Sequence, residues 1–426
     1  MYYLQTYPVT SGTSTAVAST TTNGTAFTFT EQSFTYVKSG LLALGALSVP
    51  TAFSYLGYYD SNIPPIVPGS SSNLKFSPYN WRINNNIAIT NNPGAYLNSS
   101  FAGTNLKLVV DTSSLVSSGV PAGYYPKIRW SIDDNSWQSA TLNSSNNTII
   151  LGAGLTNTEH KLKLYFLGID YTLNRWSSET GALKIVRLDS SATSSLVPSL
   201  KPKKLIIYGD SITEGLAIEG SKLSNSMASY AALVGEGFNA EYGQIGFGGQ
   251  GWTVAGTGSV PKFTETWNNY SSSTSRLIAG KLSPVPDYLI VLHGTNDALA
   301  APPATDGDVT KAVSNWLTAA RVAAGNECEI FVVSPFGLFK NSAISLGVSN
   351  YLSLSGDSKT SFVGLGVSAS TGLTSFALGL NAFSTDGIHP NIFNSVRLAP
   401  IIISEIRETV LNRISKPVSS VHNTTG

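Results

Sequence analysis

Charge and cysteine are two things that this sequence has little of. Only 12% of its 426 residues are charged, and the formal net charge is +1. Such a chain has no basic field that would hold a nucleic acid or an anionic membrane face, so we expect neither as a partner. The single cysteine, Cys328, cannot form an intramolecular disulfide, and its apolar neighbours indicate a buried, inert thiol.

Long apolar runs and metal-binding clusters are also missing. The N-terminus lacks the basic and apolar regions of a secretory signal, and the most apolar early run, 41–53, is short and contains Pro50. A membrane-spanning helix needs about 20 apolar residues, so we expect no membrane span. With four histidines and one cysteine, no Cys/His cluster offers a metal site, and we expect no metal and no organic cofactor. The cellular compartment stays open.

The first part of the chain, residues 1–72, has its own composition. It opens on a Ser/Thr-rich stretch, ends on a Pro/Gly/Ser-rich one, and carries only Glu31, Lys38 and Asp60 as charged residues. These are too few charges for a typical charge-solvated disordered tail. Two interpretations remain: an attachment segment of short strands that packs on a neighbouring subunit, or a floppy arm.

Residues 73–190 alternate between apolar and polar side chains. In KIRWSID, for example, Ile128, Trp130 and Ile132 fall on one face of an extended strand. Short alternating strands separated by Asn/Asp/Gly/Ser turns predict an antiparallel β-sandwich resembling a jelly roll. A Ser/Pro-rich linker at 191–204 follows this domain.

From residue 205 to 415 the pattern changes. LIIYG, DYLIVLHG and EIFVVSPFG are nearly continuous apolar runs, as expected of parallel strands that are covered on both faces. Stretches with helical periodicity separate them, and a final helix contains Pro400. We predict a doubly wound α/β domain, followed by a C-terminal tail at 416–426. Its functional crevice should lie at the carboxyl ends of the strands.

Three polar motifs directly follow strand-like runs. In GDSITEG, Ser211 is either a nucleophile or a helix N-cap. The glycines of GQIGFGGQGW, 243–252, permit a close backbone approach, but their spacing matches neither a dinucleotide loop nor a P-loop. In HGTND, the Asn296 amide could donate a hydrogen bond to an oxyanion or could stabilise the turn.

A fourth motif, STDGIHPN, pairs an acid with a histidine. Asp386 precedes His389 by three residues, which lets a turn place the carboxylate against the imidazole. The other histidines lie in a strand-like stretch (His160), at a strand end (His293) and in the tail (His422). Only His389 has an acid at a useful spacing, so the four motifs together predict nucleophilic catalysis.

These motifs resemble the conserved blocks of the SGNH hydrolases, also called GDSL esterases and lipases. The resemblance covers about residues 203–415, with GDSIT, GTND and DGIHP as its specific blocks. It implies a flavodoxin-like parallel sheet between helices. It also implies that Ser211 is the nucleophile, His389 the general base and Asp386 its orienting acid.

The same resemblance implies an oxyanion hole. Its donors would be the backbone N–H groups of Ser211 and Gly249 and the side-chain amide of Asn296; Gly248 or Gly246 would replace Gly249 if the register slips. Two further block residues, Asp210 and Asp297, are expected to support turns behind the site.

A sandwich domain before an SGNH domain is similar to the arrangement in carbohydrate esterase family two. That similarity implies a serine esterase that removes O-acetyl groups from an acetylated polysaccharide. It makes Trp252 a possible sugar-stacking residue, although a tryptophan beside a glycine loop is more often a packing residue. Members of this family often lack the acid of the triad, so the orientation of His389 would depend less on Asp386 than the spacing suggests.

Two alternatives remain open at this point. One is a lipid or aryl ester hydrolase, which the same motifs would serve. The other, suggested by the uncharged arm and the β-rich front, is a glycan-binding or structural subunit of an extracellular or phage tail assembly. In that case the chain would be a virion component and could form a homo-oligomer through residues 1–72.

Overall fold

The computed structural model describes residues 2–8, 15–20, 40–44, 63–144, 147–219, 224–365 and 386–415. The chain divides into two compact units, Met1–Leu56 and Gly57–Gly426. The first unit contains an antiparallel sheet in the order β2-β1-β3, formed by β1 (Tyr2–Pro8), β2 (Thr15–Thr20) and β3 (Gly40–Leu44). These strands agree with the short-strand interpretation of the arm, whereas its attachment to another subunit stays a prediction. The predicted tail at 416–426 lies outside the described residues.

The N-terminal part of the second unit is an antiparallel nine-stranded sheet. Its main path is β5-β6-β12-β7-β11-β8-β9, with β4 and β10 also paired to β7. Its elements are β4 (Leu74–Phe76), β5 (Arg82–Asn84), β6 (Ile87–Thr90), β7 (Tyr96–Val110), helix α1 (Ser113–Ser117), β8 (Lys127–Ile132), β9 (Gln138–Thr141), β10 (Thr148–Gly152), β11 (Thr158–Gly168) and β12 (Leu183–Ala192). We call this part, 63–192, the antiparallel region.

The alternation of side chains explains its core. On β11, Leu162 and Leu164 are buried against the β8 partners Ile132 and Trp130. Tyr165 lies between Leu164 and Phe166 in the sequence, and this alternation predicts that it is on the polar face, but it is buried as well. Its ring packs 5.2 Å from that of Tyr96, because this end of the sheet is covered by the α/β region described next.

The α/β region is built on a five-stranded sheet in the order β14-β13-β19-β20-β21, with every pair parallel. The strands are β13 (Lys203–Gly209), β14 (Ala240–Gly246), β19 (Tyr288–Leu292), β20 (Glu329–Val333) and β21 (Thr360–Val363). Two small hairpins lie between β14 and β19: β15 (Asn269–Ser271) with β16 (Thr274–Ser275), and β17 (Leu277–Ile278) with β18 (Lys281–Leu282). Counted along the chain, the sheet order is 2-1-3-4-5, the flavodoxin-like topology.

Helices cover both faces of this sheet, as the continuous apolar runs predict. They are α2 (Ser211–Glu214), α3 (Tyr230–Gly237), α4 (Phe263–Thr266), α5 (Thr295–Leu299), α6 (Asp306–Ala324), α7 (Asn341–Ser355) and α8 (Ile392–Ser415), with a 3-10 turn at Ser226–Ala228. Ile206 and Tyr208 face the core formed with α6 and α7, whereas Leu205 and Ile207 face α3 and α8. Cys328 is buried in the first of these cores, and α8 continues through Pro400. Within the described ranges, no helix combines the length and hydrophobicity of a membrane-crossing segment.

Candidate active site

The site lies where the strand order reverses, between β13 and β19, at the carboxyl edge of the parallel sheet. β13 ends at Gly209, and Asp210 caps α2 by accepting the N–H of Ile212 at 3.0 Å. A side chain at Gly209 would come within 2.9 Å of the carbonyl oxygen of Leu292, so glycine is needed for the turn. The cap is therefore Asp210, and Ser211 is the first residue of the helix.

Three side chains predicted from two separate motifs meet here. The Nε2 of His389 lies 2.8 Å from the Oγ of Ser211. The other ring nitrogen, Nδ1, lies 2.6 Å from Oδ2 of Asp386. The second carboxylate oxygen of Asp386 accepts the backbone N–H groups of Ile388 at 3.0 Å and His389 at 2.8 Å, so the acid is held against its own turn.

The electrostatics of this trio assign the tautomer of the histidine. Partial burial of Asp386 opposes its ionisation, but the hydrogen bonds from the His389 ring and backbone outweigh that and hold its pKa well below the usual range. An ionised carboxylate can only accept, so Nδ1 of His389 carries a proton. In the neutral ring the lone pair then lies on Nε2 and faces the hydroxyl of Ser211.

The glycine loop beside Ser211 offers a free backbone donor at Gly249. The N–H of Gly248 is donated to Oε2 of Glu214 at 3.0 Å, and Gly246 belongs to β14, before the loop turns. The N–H of Gly249 has no acceptor among the described residues. Its φ of +75° lies in the left-handed region that favours glycine. Of Gly248 and Gly249, the two candidates in the turn of the loop, Gly249 is the one whose N–H is available.

Asn296 lies in α5, at the end of β19. Its Nδ2 donates to the carbonyl of Gln250 at 3.0 Å and, at a longer 3.3 Å, to Oδ2 of Asp210. Complete burial raises the pKa of Asp210 to about 7, although the N–H of Ile212 and the charge of His389 oppose this shift. The amide therefore lies between the glycine loop and the residue that precedes Ser211.

Asp297 and Trp252 support the loop from behind. Asp297 is fully buried, and its oxygens accept the N–H of Trp252 at 2.8 Å and that of Thr253 at 2.9 Å. The indole of Trp252 is 0% exposed and donates its Nε1–H to the carbonyl of His293 at 3.1 Å. The structure thus corrects the interpretation of Trp252 as a sugar-stacking residue, because no face of its ring reaches the surface.

The sequence patterns do not indicate one buried ion pair beside the site. Arg175, from the antiparallel region, forms a two-bond ion pair with Glu214 at 3.0 and 3.1 Å, and both side chains are 0% exposed. Glu214 lies in the nucleophile motif, but nothing in the sequence near Arg175 indicates this partner. In the part of the chain that is described, no group of three His, Cys, Asp or Glu side chains could hold a metal ion.

A Ser–His–Asp trio thus lies at the switch point of a 2-1-3-4-5 parallel sheet, and several solved structures are similar to this chain in fold. The chain superposes on a family two carbohydrate esterase from Cellvibrio japonicus with a TM-score of 0.63 at 16% identity, covering 81% of this chain and 97% of that one. A family two carbohydrate esterase from Clostridium thermocellum, in complex with cellohexaose, gives a TM-score of 0.61 at 20% identity and coverages of 79% and 99%.

An acetyl xylan esterase from the rumen bacterium Butyrivibrio proteoclasticus gives a TM-score of 0.62 at 15% identity and coverages of 80% and 96%. No protein-family model matches the sequence, and no curated protein matches it significantly. The likeness therefore concerns the fold, which over about four fifths of this chain is similar to that of these carbohydrate esterases.

Proposed function

We propose that the protein is a serine esterase that removes O-acetyl groups from a polysaccharide through an acyl-enzyme intermediate. The observation that carries this proposal is the hydrogen-bonded series from Ser211 Oγ to His389 Nε2 at 2.8 Å and from His389 Nδ1 to Asp386 at 2.6 Å. It lies at the carboxyl edge of the sheet, where the strand order reverses. This arrangement is the one that turns a weakly nucleophilic hydroxyl into an attacking group.

In the first half of the reaction, Ser211 attacks the acetyl carbonyl while Nε2 of His389 takes the hydroxyl proton. The resulting imidazolium is stabilised by the anionic Asp386, and it returns the proton to the sugar oxygen as the C–O bond breaks. In the second half, His389 takes a proton from water, which attacks the acetyl-serine. Collapse of this intermediate releases acetate and restores the serine hydroxyl.

Three donors would stabilise the negative oxygen of each tetrahedral intermediate. They are the N–H groups of Ser211 and Gly249 and the amide of Asn296. Removing one such donor typically costs about 3 kcal/mol of transition-state stabilisation. In the free protein the Asn296 amide makes its longer bond, 3.3 Å, to Asp210, and an oxyanion would replace that weak acceptor.

The polysaccharide part of the proposal draws on the relatives and on the antiparallel region. The esterase from Clostridium thermocellum binds cellohexaose, and the one from Butyrivibrio proteoclasticus is an acetyl xylan esterase. We take the antiparallel region to be a jelly roll like the predicted one, and its residue Tyr171 lies next to Gly248 of the glycine loop. Action on an extracellular glycan and a homo-oligomer formed through residues 1–72 remain parts of the proposal.

The test is hydrolysis of p-nitrophenyl acetate by the wild type and by Ser211→Ala. A matched control is Ser229→Ala, which removes a buried serine that is not part of the trio and that caps α3, 3.4 Å from the N–H of Ala232. We expect Ser211→Ala to abolish hydrolysis and Ser229→Ala to keep it. Equal rates for wild type and Ser211→Ala would refute the nucleophile.

The substrate class is tested by acetate release from acetylated xylan and acetylated bacterial polysaccharide, compared with release of long-chain acids from acyl esters. Faster turnover of acetylated polysaccharide supports the proposal. A preference for long acyl chains would favour the lipid ester alternative. Binding of the polysaccharide without any acetate release would favour the glycan-binding alternative.

A further inference from the structure

A buried ion pair joins the antiparallel region to the segment that carries the nucleophile. Arg175 lies between β11 and β12, and its two terminal nitrogens lie 3.0 and 3.1 Å from the two carboxylate oxygens of Glu214. Glu214 is the last residue of α2, which begins at Ser211. Both side chains are 0% exposed. A buried pair is weak evidence for a stabilising role, because desolvation of the two charges offsets their attraction.

Glu214 also holds the glycine loop. Its Oε2, which faces Arg175, accepts the backbone N–H of Gly248 at 3.0 Å. The carbonyl of Gly248 is held in turn by the backbone N–H and the hydroxyl of Thr257, at 2.8 and 2.9 Å. The peptide groups on both sides of the Gly248 Cα are therefore anchored.

This anchoring sets the direction of the Gly249 N–H. A trans peptide is planar, and its C=O and N–H point in opposite directions. Because the Gly248 carbonyl is fixed toward Thr257, the N–H of Gly249 in the same peptide plane points away from Thr257. No residue in the described ranges accepts this N–H, so it is available to a substrate oxygen.

Arg175 is held in place by contacts with both ends of the segment 247–258, which contains Gly248 and Gly249. Its backbone N–H donates to the carbonyl of Gly258 at 3.1 Å. Its guanidinium lies 5.2 Å from the centre of the Phe247 ring. The arginine thus packs against 247–258 from outside the α/β region while its charge reaches Glu214.

We infer that Glu214 is a positioning residue for the oxyanion hole: its carboxylate, whose buried charge Arg175 neutralises, accepts the Gly248 N–H and so holds the glycine loop in register with Ser211. The antiparallel region is then part of the catalytic arrangement as well as a candidate glycan-binding surface. The catalytic consequence rests on the proposed esterase function. The effect on the geometry of the loop does not.

Two double variants test the inference without leaving an unpaired buried charge. Arg175→Met with Glu214→Gln removes both charges but keeps a side-chain oxygen for the N–H of Gly248. Arg175→Met with Glu214→Met removes both charges and the acceptor at similar volume. We expect the second variant to lose about 100-fold in kcat on p-nitrophenyl acetate, with KM little changed, as for a lost oxyanion donor. We expect the first to keep most of its kcat.

Amide hydrogen exchange of residues 246–252 gives a readout that needs no activity. The control is Tyr96→Phe, which removes another buried hydrogen bond between the two regions, 2.6 Å from Tyr96 Oη to Glu241 Oε2, near the start of β14. Exchange in 246–252 should rise in the double variant with Glu214→Met and stay at the wild-type level in Tyr96→Phe.

The outcomes are distinct. Unchanged exchange in the Glu214→Met double variant, or equal losses of kcat in the two double variants, would overturn the inference. Faster exchange in the Glu214→Met double variant, together with a wild type that shows no Ser211-dependent hydrolysis, would refute the esterase proposal and support the control of the loop by Glu214.

Discussion

Replacing Asp386 with asparagine would test how much the acid of the trio contributes. Its Oδ2 lies 2.6 Å from His389 Nδ1, and its Oδ1 accepts two backbone N–H groups of its own turn. An asparagine side chain preserves the shape, but only one of its terminal atoms can accept a hydrogen bond. To keep the proton on Nδ1 of His389, its oxygen must face the ring and its NH2 group must turn toward the backbone N–H groups, and it cannot offer a charge to the imidazolium that forms during the reaction. The predicted loss is therefore in kcat rather than in folding.

The exposure of the carboxylate limits the size of this loss. A hydrogen bond to a charged group is worth about 1.5–3 kcal/mol and one between neutral groups about 0.5–1.5 kcal/mol, so the difference is about 1–2 kcal/mol. That difference corresponds to about a 5–30-fold loss of kcat. In a buried triad the same substitution costs about 10⁴-fold because it leaves the wrong histidine tautomer, but the Asp386 side chain is 39% exposed, so water can hydrogen-bond the backbone N–H groups while the asparagine oxygen faces the ring.

The assay is the initial rate of p-nitrophenyl acetate hydrolysis over a range of substrate concentrations. The control is Asp357→Asn, a carboxylate that is 11% exposed and lies 2.8 Å from Arg321 in the same region of the fold but outside the trio. Asp357→Asn should lower the melting temperature and leave kcat unchanged. A loss below about twofold in Asp386→Asn would show that Asp386 does not stabilise the imidazolium, and a loss near 10⁴-fold would refute the argument from exposure.

Three further predictions concern single side chains. Asn296→Ala should lower kcat on p-nitrophenyl acetate by about 100-fold, since one oxyanion donor contributes about 3 kcal/mol; a loss confined to KM would exclude this role. His160 has Asp133 at 2.6 Å and the Thr156 carbonyl at 2.8 Å, and although burial lowers its pKa, these hydrogen bonds outweigh it and raise the pKa. The stability that His160 contributes should therefore be complete below its unfolded pKa and be lost as the pH rises through its folded pKa. In urea unfolding at several pH values, His160→Gln should lack this pH-dependent loss of stability. A loss of the same size in His160→Gln would contradict the prediction. Trp252→Ala should cost about 3–5 kcal/mol of unfolding free energy because the ring is fully buried, and a loss of polysaccharide affinity without a loss of stability would restore the sugar-stacking interpretation.

Much of the fold was predictable because it depends on local patterns. Alternation along β8 and β11 reflects the two faces of a strand, and the continuous apolar runs at β13, β19 and β20 reflect strands buried on both sides. The crevice was also predictable, since in a sheet of this order polar residues that directly follow neighbouring strands meet at one edge. Only the packed structure showed that Tyr165 is buried on the expected polar face, because the α/β region covers it.

The sequence by itself determined the strands, the helices and the acid–histidine spacing of Asp386 and His389, because each depends on backbone periodicity or on residues within one turn. Tertiary structure decided which of Gly248 and Gly249 has a free N–H. The Gly248 N–H bonds to Glu214 only because the loop packs against α2. The buried position of Trp252 and the pairing of Arg175 with Glu214 were decided in the same way. Such contacts join residues far apart in the chain, and side-chain packing alone determines which of them become neighbours.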